Sequence, residues 1–248
     1  MTRIASHRGG TLEFGDSTPR GFAATARMAL EEVEFDVHPT RDGAIVVHHD
    51  PELNRTTDRT GAIAELTLAE VKDATIDYSE GGHPLTLAEL CAIYRDSAVD
   101  FRCEIKPDRN GRPYSDFVPR VVETLRQEGM LERTGFTSFL IPSLDALAAA
   151  TTRPRLWLVS PGVLYQLGVD GVIELAKAHG VAEISVNVDT ASEELAATLR
   201  AAGIAFGVWA AHDVPKLEKA FRLGAKALTC DRPSLAIAVR ARLAETAQ

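Results

Sequence analysis

The sequence predicts an eight-stranded (β/α)₈ TIM barrel. Short apolar strands alternate with helix-patterned segments from end to end, eight such units can be counted, and 248 residues is a standard length for one barrel. The strands start at Arg3, Val33, Asp100, Gly135, Arg155, Glu183, Ile204 and Lys226. Such alternation implies parallel strands joined by right-handed crossovers. The polar stretch after Asp50 reads as a small insertion, about residues 51–85, after the second strand. No stretch rich in Pro, Gly or Ser splits the chain, so residues 1–248 read as a single domain.

The first strand ends in His7-Arg8-Gly9-Gly10, where two glycines permit a tight loop and close approach of the backbone to a ligand. Ser17 or Thr18 caps a helix that carries Pro19 in its first turn and runs on through Leu30. The second strand, Val33–Val37, is followed by a turn at Arg41-Asp42-Gly43 and a second apolar run, Ala44–Val47. Capping-box spacings start helices at Thr67 (with Glu70) and Thr86 (with Glu89). The third strand is Asp100–Lys106, and Asp116 opens a helix through Leu125. Strands at Gly135–Phe139, Arg155–Val159, Glu183–Val186, Ile204–Trp209 and Lys226–Thr229 then alternate with helices at Ser143–Ala150, Asp170–His179, Ser192–Ala202, Val214–Leu223 and Ser234–Glu245. Gly180, Gly203 and Gly224 stand just past three of these helices, where C-terminal caps belong.

Composition narrows the function classes. A net charge of −8 argues against a nucleic-acid surface. The N-terminus lacks the apolar core of a signal peptide, and no stretch approaches the roughly 20 apolar residues of a membrane span. Cys91, Cys103 and Cys230 make neither a zinc spacing nor a disulfide framework, so a cytoplasmic protein is expected. Apolar faces on the outer helices leave a homo-oligomer open.

Candidate chemistry collects at the strand ends that form a barrel's mouth. Glu34 and Asp36 share one face of their strand by period two, and Glu104 and Lys106 share one face of the third. Three buried acids are costly without a cation, and an all-oxygen donor set suits one divalent cation, Mg²⁺ or Ca²⁺. His7 and His49 are candidate general acid and base, and Arg8 and Lys106 candidate holders of an anionic oxygen. Trp209 either closes the mouth against an apolar part of a substrate or packs structurally. Each feature has a plainer reading: Glu34 and Asp36 in ion pairs with Arg102 or Lys106, Glu104 paired with Lys106, His7 as a hydrogen-bonded strand end. Of the adjacent His48 and His49, only one can face the site on an extended strand. His38 reads as a rim residue, and His83, His179 and His212 as surface or loop histidines. Lys226 and Thr229, on the last strand, are counted with the mouth.

These residues fall into an ordered set of motifs: His7-Arg8-Gly9, Glu34-x-Asp36, Thr40-Arg41-Asp42-Gly43, Val46-Val47-x-His49-Asp50, Asn54-Arg55-Thr56-Thr57, Leu85-Thr86-Leu87, Glu104-Ile105-Lys106-Pro107 and Thr229-Cys230-Asp231-Arg232-Pro233. The chain resembles the glycerophosphodiester phosphodiesterase family from end to end. The resemblance implies a TIM-type barrel and hydrolysis of small-molecule glycerophosphodiesters to an alcohol and sn-glycerol 3-phosphate. It implies His7 and His49 as the acid/base pair, choosing His49 over His48. Glu34, Asp36 and Glu104 match the family's divalent-metal ligands, and Arg8 and Lys106 its phosphate-contacting cations. Two mouth loops depart from the pattern. Gly15-Asp16-Ser17-Thr18 stands where the family usually has Pro-Glu-Asn-Thr, and Trp209-Ala210-Ala211-His212 where it often has Trp-Thr-Val-Asn. Rival readings are a phospholipase D-like enzyme of the same barrel type, acting on lysophospholipid or sphingolipid head groups, and a non-catalytic barrel that binds a phosphorylated metabolite or a partner protein.

Overall fold

The computed structural model describes residues 1–78 and 80–246. Strand β1 (Arg3–His7) leads into helices α1 (Thr11–Phe14) and α2 (Pro19–Thr25), then strands β2 (Glu32–Pro39) and β3 (Ile45–Val47). A loop-rich segment carrying α3 (Leu68–Lys72) precedes α4 (Leu87–Tyr94), β4 (Asp100–Ile105) and α5 (Phe117–Gln127). Next come β5 (Thr134–Ser138), α6 (Ile141–Ala150), β6 (Arg155–Val159), α7 (Pro161–Ala178), β7 (Glu183–Asn187) and α8 (Glu193–Ala201). Strand β8 (Ala205–Trp209), α9 (Val214–Arg222), β9 (Ala227–Cys230) and α10 (Pro233–Thr246) complete the described elements.

Eight parallel strands close a ring in the order β1-β9-β8-β7-β6-β5-β4-β2, with β2 returning to β1. This is the TIM barrel that the alternation predicts. Strand β3 lies outside the ring, antiparallel to the upper end of β2, with Val37 opposite Val47. Outward-facing residues such as Val33, Phe35, Phe101 and Phe136 join the helices in one core, with Phe35 edge-on to Phe101 at 4.9 Å. Under the segment after β3, Val46, Leu53, Ile63, Val71 and Ala74 form a small core of their own. Both capping boxes form as spaced, at Thr67 with Glu70 and Thr86 with Glu89.

Several expectations shift. Thr18 caps α2, but the helix ends at Thr25 rather than Leu30, because the chain tightens into i→i−3 turns at Arg27 and Met28. An additional helical segment starts at Pro161, with Ser160 as its cap, and breaks at Gly168 (φ 66°), past which α7 follows the expected Asp170–His179. Gly9 (φ 77°) serves packing rather than a ligand: a Cβ there would lie 3.0 Å from the Phe22 backbone nitrogen, so β1 and α2 meet backbone to backbone. Lys226 sits at the start of β9, at the barrel floor, and pairs with Glu183. It is no mouth residue.

The barrel interior is charged at both ends. On the floor, Glu32 takes Arg102 Nη2 at 2.6 Å and Arg3 Nε at 2.8 Å. Burial alone would push the Glu32 carboxyl up, but Arg102 and Arg3 overcome it and hold the group below its ordinary 4.5. A carboxyl depressed on folding stabilises above its unfolded pKa, and the contribution is lost as pH falls. Glu32→Gln is therefore expected to lower stability by about 3 kcal/mol near neutral pH. The gap in Tm from the wild type should narrow as the pH drops below 4.5. A pH-independent gap would contradict this account.

Candidate active site

The upper ends of β1, β2 and β4 bring the charges together. Period-two alternation aims His7, Glu34, Asp36 and Glu104 into the ring, and the register sets Glu34 beside His7 and Asp36 beside Glu104. Carboxylate oxygens of Glu34, Asp36 and Glu104 all lie within 4.8 Å of one another, and each residue is at most 5% exposed. Lys106 Nζ stands 3.0 Å from Glu104 and 3.4 Å from Asp36, and Arg8 Nε 3.1 Å from Asp36 on the other side.

The charge balance splits the three acids. Burial favours the neutral form of Asp36, but Lys106 and Arg8 outweigh it and hold this carboxyl far below its ordinary range. Glu34 moves the other way, pushed up by burial and by the charges of Asp36 and Glu104. Glu104 is raised to about 7, again mainly by burial, with Lys106 opposing. Glu34 Oε2, both Asp36 oxygens and Glu104 Oε1 are buried, and beyond the ion pairs with Arg8 and Lys106 they find no hydrogen-bond partner among the described residues. Buried carboxylate oxygens so sparsely satisfied are what a hard divalent cation completes, so the residues present fit such an ion.

Both predicted imidazoles face this cluster with an aspartate behind them. His7 Nδ1 is hydrogen-bonded to Asp231 Oδ1, and its Nε2 lies 3.8 Å from Glu34. His49 Nδ1 donates to Asp50 Oδ1 at 2.5 Å, which leaves Nε2 for the cavity. Burial is the main influence that keeps His49 below the ordinary imidazole range. His48 is turned away and fully paired: Nδ1–H donates to the Asp50 carbonyl (2.8 Å) and Nε2 accepts from Thr56 (3.0 Å). His38 is no rim residue. It is fully buried, and burial lowers its pKa to about 4. Its neutral ring donates Nε2–H to the His49 carbonyl and accepts from the Tyr114 hydroxyl, each at 3.0 Å, so it fixes the backbone that carries His49.

The mouth loops complete a chain of charges. Asp16 Oδ2 takes Arg8 Nη1 at 2.9 Å and Arg55 Nη2 at 3.1 Å, and Arg55 Nε reaches Asp50 at 2.5 Å. Arg8 (φ 50°) and Ser17 (φ 57°) adopt left-handed backbone here, at positions fixed by this network. Arg102 lies a layer below Glu104, occupied by Glu32 and Glu183.

A cavity of about 210 Å³ opens over the cluster, lined by His7, Arg8, Glu34, His49, Glu104, Lys106 and, on its far side, Thr137, Phe139, Leu158, Trp209 and His212. The structure thus brings together the predicted site residues, with Asp36 beneath the others. It adds Asp231, Asp50, Asp16 and Arg55, and moves His212 from the surface to the cavity wall. Asp231 and His212 follow the ends of β9 and β8, so the strand-end rule had the power to find them. Asp16 and Arg55 lie in loops with no periodic signal.

Opposed imidazoles and paired cations around a buried acidic cluster suit reactions at an anionic phosphorus centre. The chain is a phosphoric diester hydrolase on a TIM barrel. Residues 7–235 match the model of the glycerophosphoryl diester phosphodiesterase family, and the chain belongs to that family. A crystal structure from Agrobacterium tumefaciens strain C58, assigned to the glycerophosphoryl diester phosphodiesterases, shares 64% identity over 99% of each chain, with a TM-score of 0.98. The glycerophosphodiester phosphodiesterase of Caldanaerobacter subterraneus subsp. tengcongensis is 25% identical over 95% of this chain and 96% of its own length. An Oleispira antarctica phosphodiesterase solved with its product sn-glycerol-3-phosphate has a similar fold, with a TM-score of 0.79, 21% identity and 96% coverage of each chain.

The acidic cluster has a thermodynamic signature. Glu34→Gln removes one of three crowded carboxyls, and is expected to raise the Tm of the cation-free protein by about 2–4 °C, the shift of one kcal/mol in a chain of this size. The same change should abolish the gain in Tm that Mg²⁺ or Ca²⁺ gives the wild type. A variant that melts lower without the cation, or still gains with it, contradicts this reading of the cluster.

Proposed function

We propose that this protein hydrolyses glycerophosphodiesters to an alcohol and sn-glycerol 3-phosphate, that the reaction requires a divalent cation, and that His7 and His49 are its acid and base. Residues 1–248 work as one domain, and three free, buried cysteines suit a reducing, cytoplasmic setting. The observation that carries the reading is the charge balance of the mouth. With all three carboxyls ionised, the form in which they ligate a cation, they leave one net negative charge against Arg8 and Lys106. A divalent cation on Glu34, Asp36 and Glu104, Mg²⁺ or Ca²⁺, reverses it to one positive, which a phosphodiester monoanion cancels.

When bound, the cation supplies Lewis acidity toward a phosphoryl oxygen. The chain's own residues supply the rest. Arg8 and Lys106 offer charge-assisted donors to the phosphate, with Asp16 and Glu104 holding them in place. Asp231 and Asp50 fix the two imidazoles so that each presents Nε2 to the cavity. One imidazole takes a proton from the attacking oxygen, and the other gives one to the departing alcohol. Trp209 and Phe139, edge-on at 5.9 Å, offer an apolar wall to the carbon chain attached to phosphorus. The product complex of the Oleispira relative supports glycerol 3-phosphate as the product class.

Glycerol 3-phosphate release from a panel of glycerophosphodiesters should require Mg²⁺ or Ca²⁺ and stop with EDTA. His7→Ala and His49→Ala are each expected to lose about 10²–10⁴-fold in kcat. Wild-type turnover by His49→Ala would remove the acid/base assignment. Choline release from lysophosphatidylcholine, with none of glycerol 3-phosphate from any diester, would favour the phospholipase D-like alternative.

A further inference from the structure

We propose that His212 is a specificity-determining residue of this site, hydrogen-bonding through Nε2 to the terminal hydroxyl of the glyceryl chain. The inference rests on the phosphodiesterase reading above and adds the residue that selects the substituent.

His212 stands three residues past β8, in a loop turned by Ala210, which adopts a left-handed φ of 64° without being glycine. The turn brings the ring back over the mouth, where it lines the cavity and stacks on His7 with centroids 6.2 Å apart and planes 25° from parallel. Its Nδ1 is engaged by Asp231, lying 3.2 Å from both the backbone nitrogen and Oδ2 of that residue, which leaves Nε2 for the cavity. Burial pushes the imidazole toward its neutral form. Among the described residues Nε2 has no hydrogen-bond partner, and the side chain is 31% exposed.

The surroundings say what Nε2 meets. The charged end of the cavity takes the phosphate, which leaves the substituent's carbon chain to the end walled by Phe139, Leu158 and Trp209. Beside that apolar end stands His212 Nε2. A plain alkyl chain would leave it without a partner, and a quaternary ammonium offers it neither donor nor acceptor. A hydroxyl satisfies it. In an extended glyceryl group the terminal hydroxyl lies four bonds, about 5 Å, from the ester oxygen. That span approaches the 6.2 Å separation of the His7 and His212 rings, so a glyceryl ester oxygen that stays on phosphorus and lies beside His7 puts the terminal hydroxyl near His212.

The test compares two chromogenic diesters, glyceryl p-nitrophenyl phosphate and the analogue lacking only the terminal hydroxyl, in wild type and His212→Phe. The flat Phe ring keeps the stacking on His7 and removes Nε2, and His212→Ala replaces it should the Phe variant lose its melting transition. The wild-type ratio of kcat/KM for the two substrates is expected to be about five- to tenfold, falling toward one in the variant. An unchanged ratio overturns the proposal whatever the absolute rate, because His212 would then act only through Asp231 and His7. Should the wild type turn over neither diester, the phosphodiesterase reading itself fails. Binding of glycerol 3-phosphate against its deoxy analogue then still decides: equal affinities in the wild type overturn the role of His212.

Discussion

Three carboxylates confined within 4.8 Å and largely buried are the constraint on which the rest of the mouth depends. Their mutual repulsion and desolvation are tolerable only with cations against them, and Arg8 and Lys106 supply two from opposite sides of Asp36. Compensation is incomplete. Glu34 and Glu104 stay above their ordinary pKa while Asp36 drops below its own, and this imbalance makes the cluster receptive to a further cation. The floor of the same barrel shows the contrasting case, where Glu32 is fully engaged by Arg3 and Arg102 and has no capacity left over.

From Asp36 the charge compensation extends outward as a chain of alternating sign through Arg8, Asp16, Arg55 and Asp50 to His49. It ties the loop after β1 to the segment after β3, the two pieces of backbone that carry Arg8 and one of the cavity's imidazoles. Asp231 plays the matching part on the other side, receiving His7 and meeting His212. The two imidazoles are thus set by separate aspartates from separate loops, which keeps their environments distinct while both face the same carboxylates.

Much of the site was legible because strand alternation is local. Glu34 with Asp36, and Glu104 with Lys106, are two residues apart on strands, so shared faces follow from the pleat alone. The choice of His49 over His48 came from the motif, and the structure gives its reason: His48 is consumed by Asp50 and Thr56. His38 and His212 were misplaced for one physical reason. Their settings depend on contacts distant in sequence, Tyr114 for His38 and Asp231 for His212, and no local period reports such contacts. The early end of α2 likewise reflects tertiary packing overriding helix pattern, with Thr25 bonded to Tyr94.

The sequence by itself determined the barrel, the strand ends and the residue types at the mouth, because alternation, capping boxes and turn glycines act within a few residues of one another. Only the tertiary structure decided which charges meet. The pairing of β2 with β4 sets Asp36 beside Glu104, and the mouth loops carry Asp16 to Arg55 and Asp231 to His7. Those meetings set each group's protonation, because electrostatic energy in a buried site depends on distance through space and on burial, and neither quantity is written in the order of the residues.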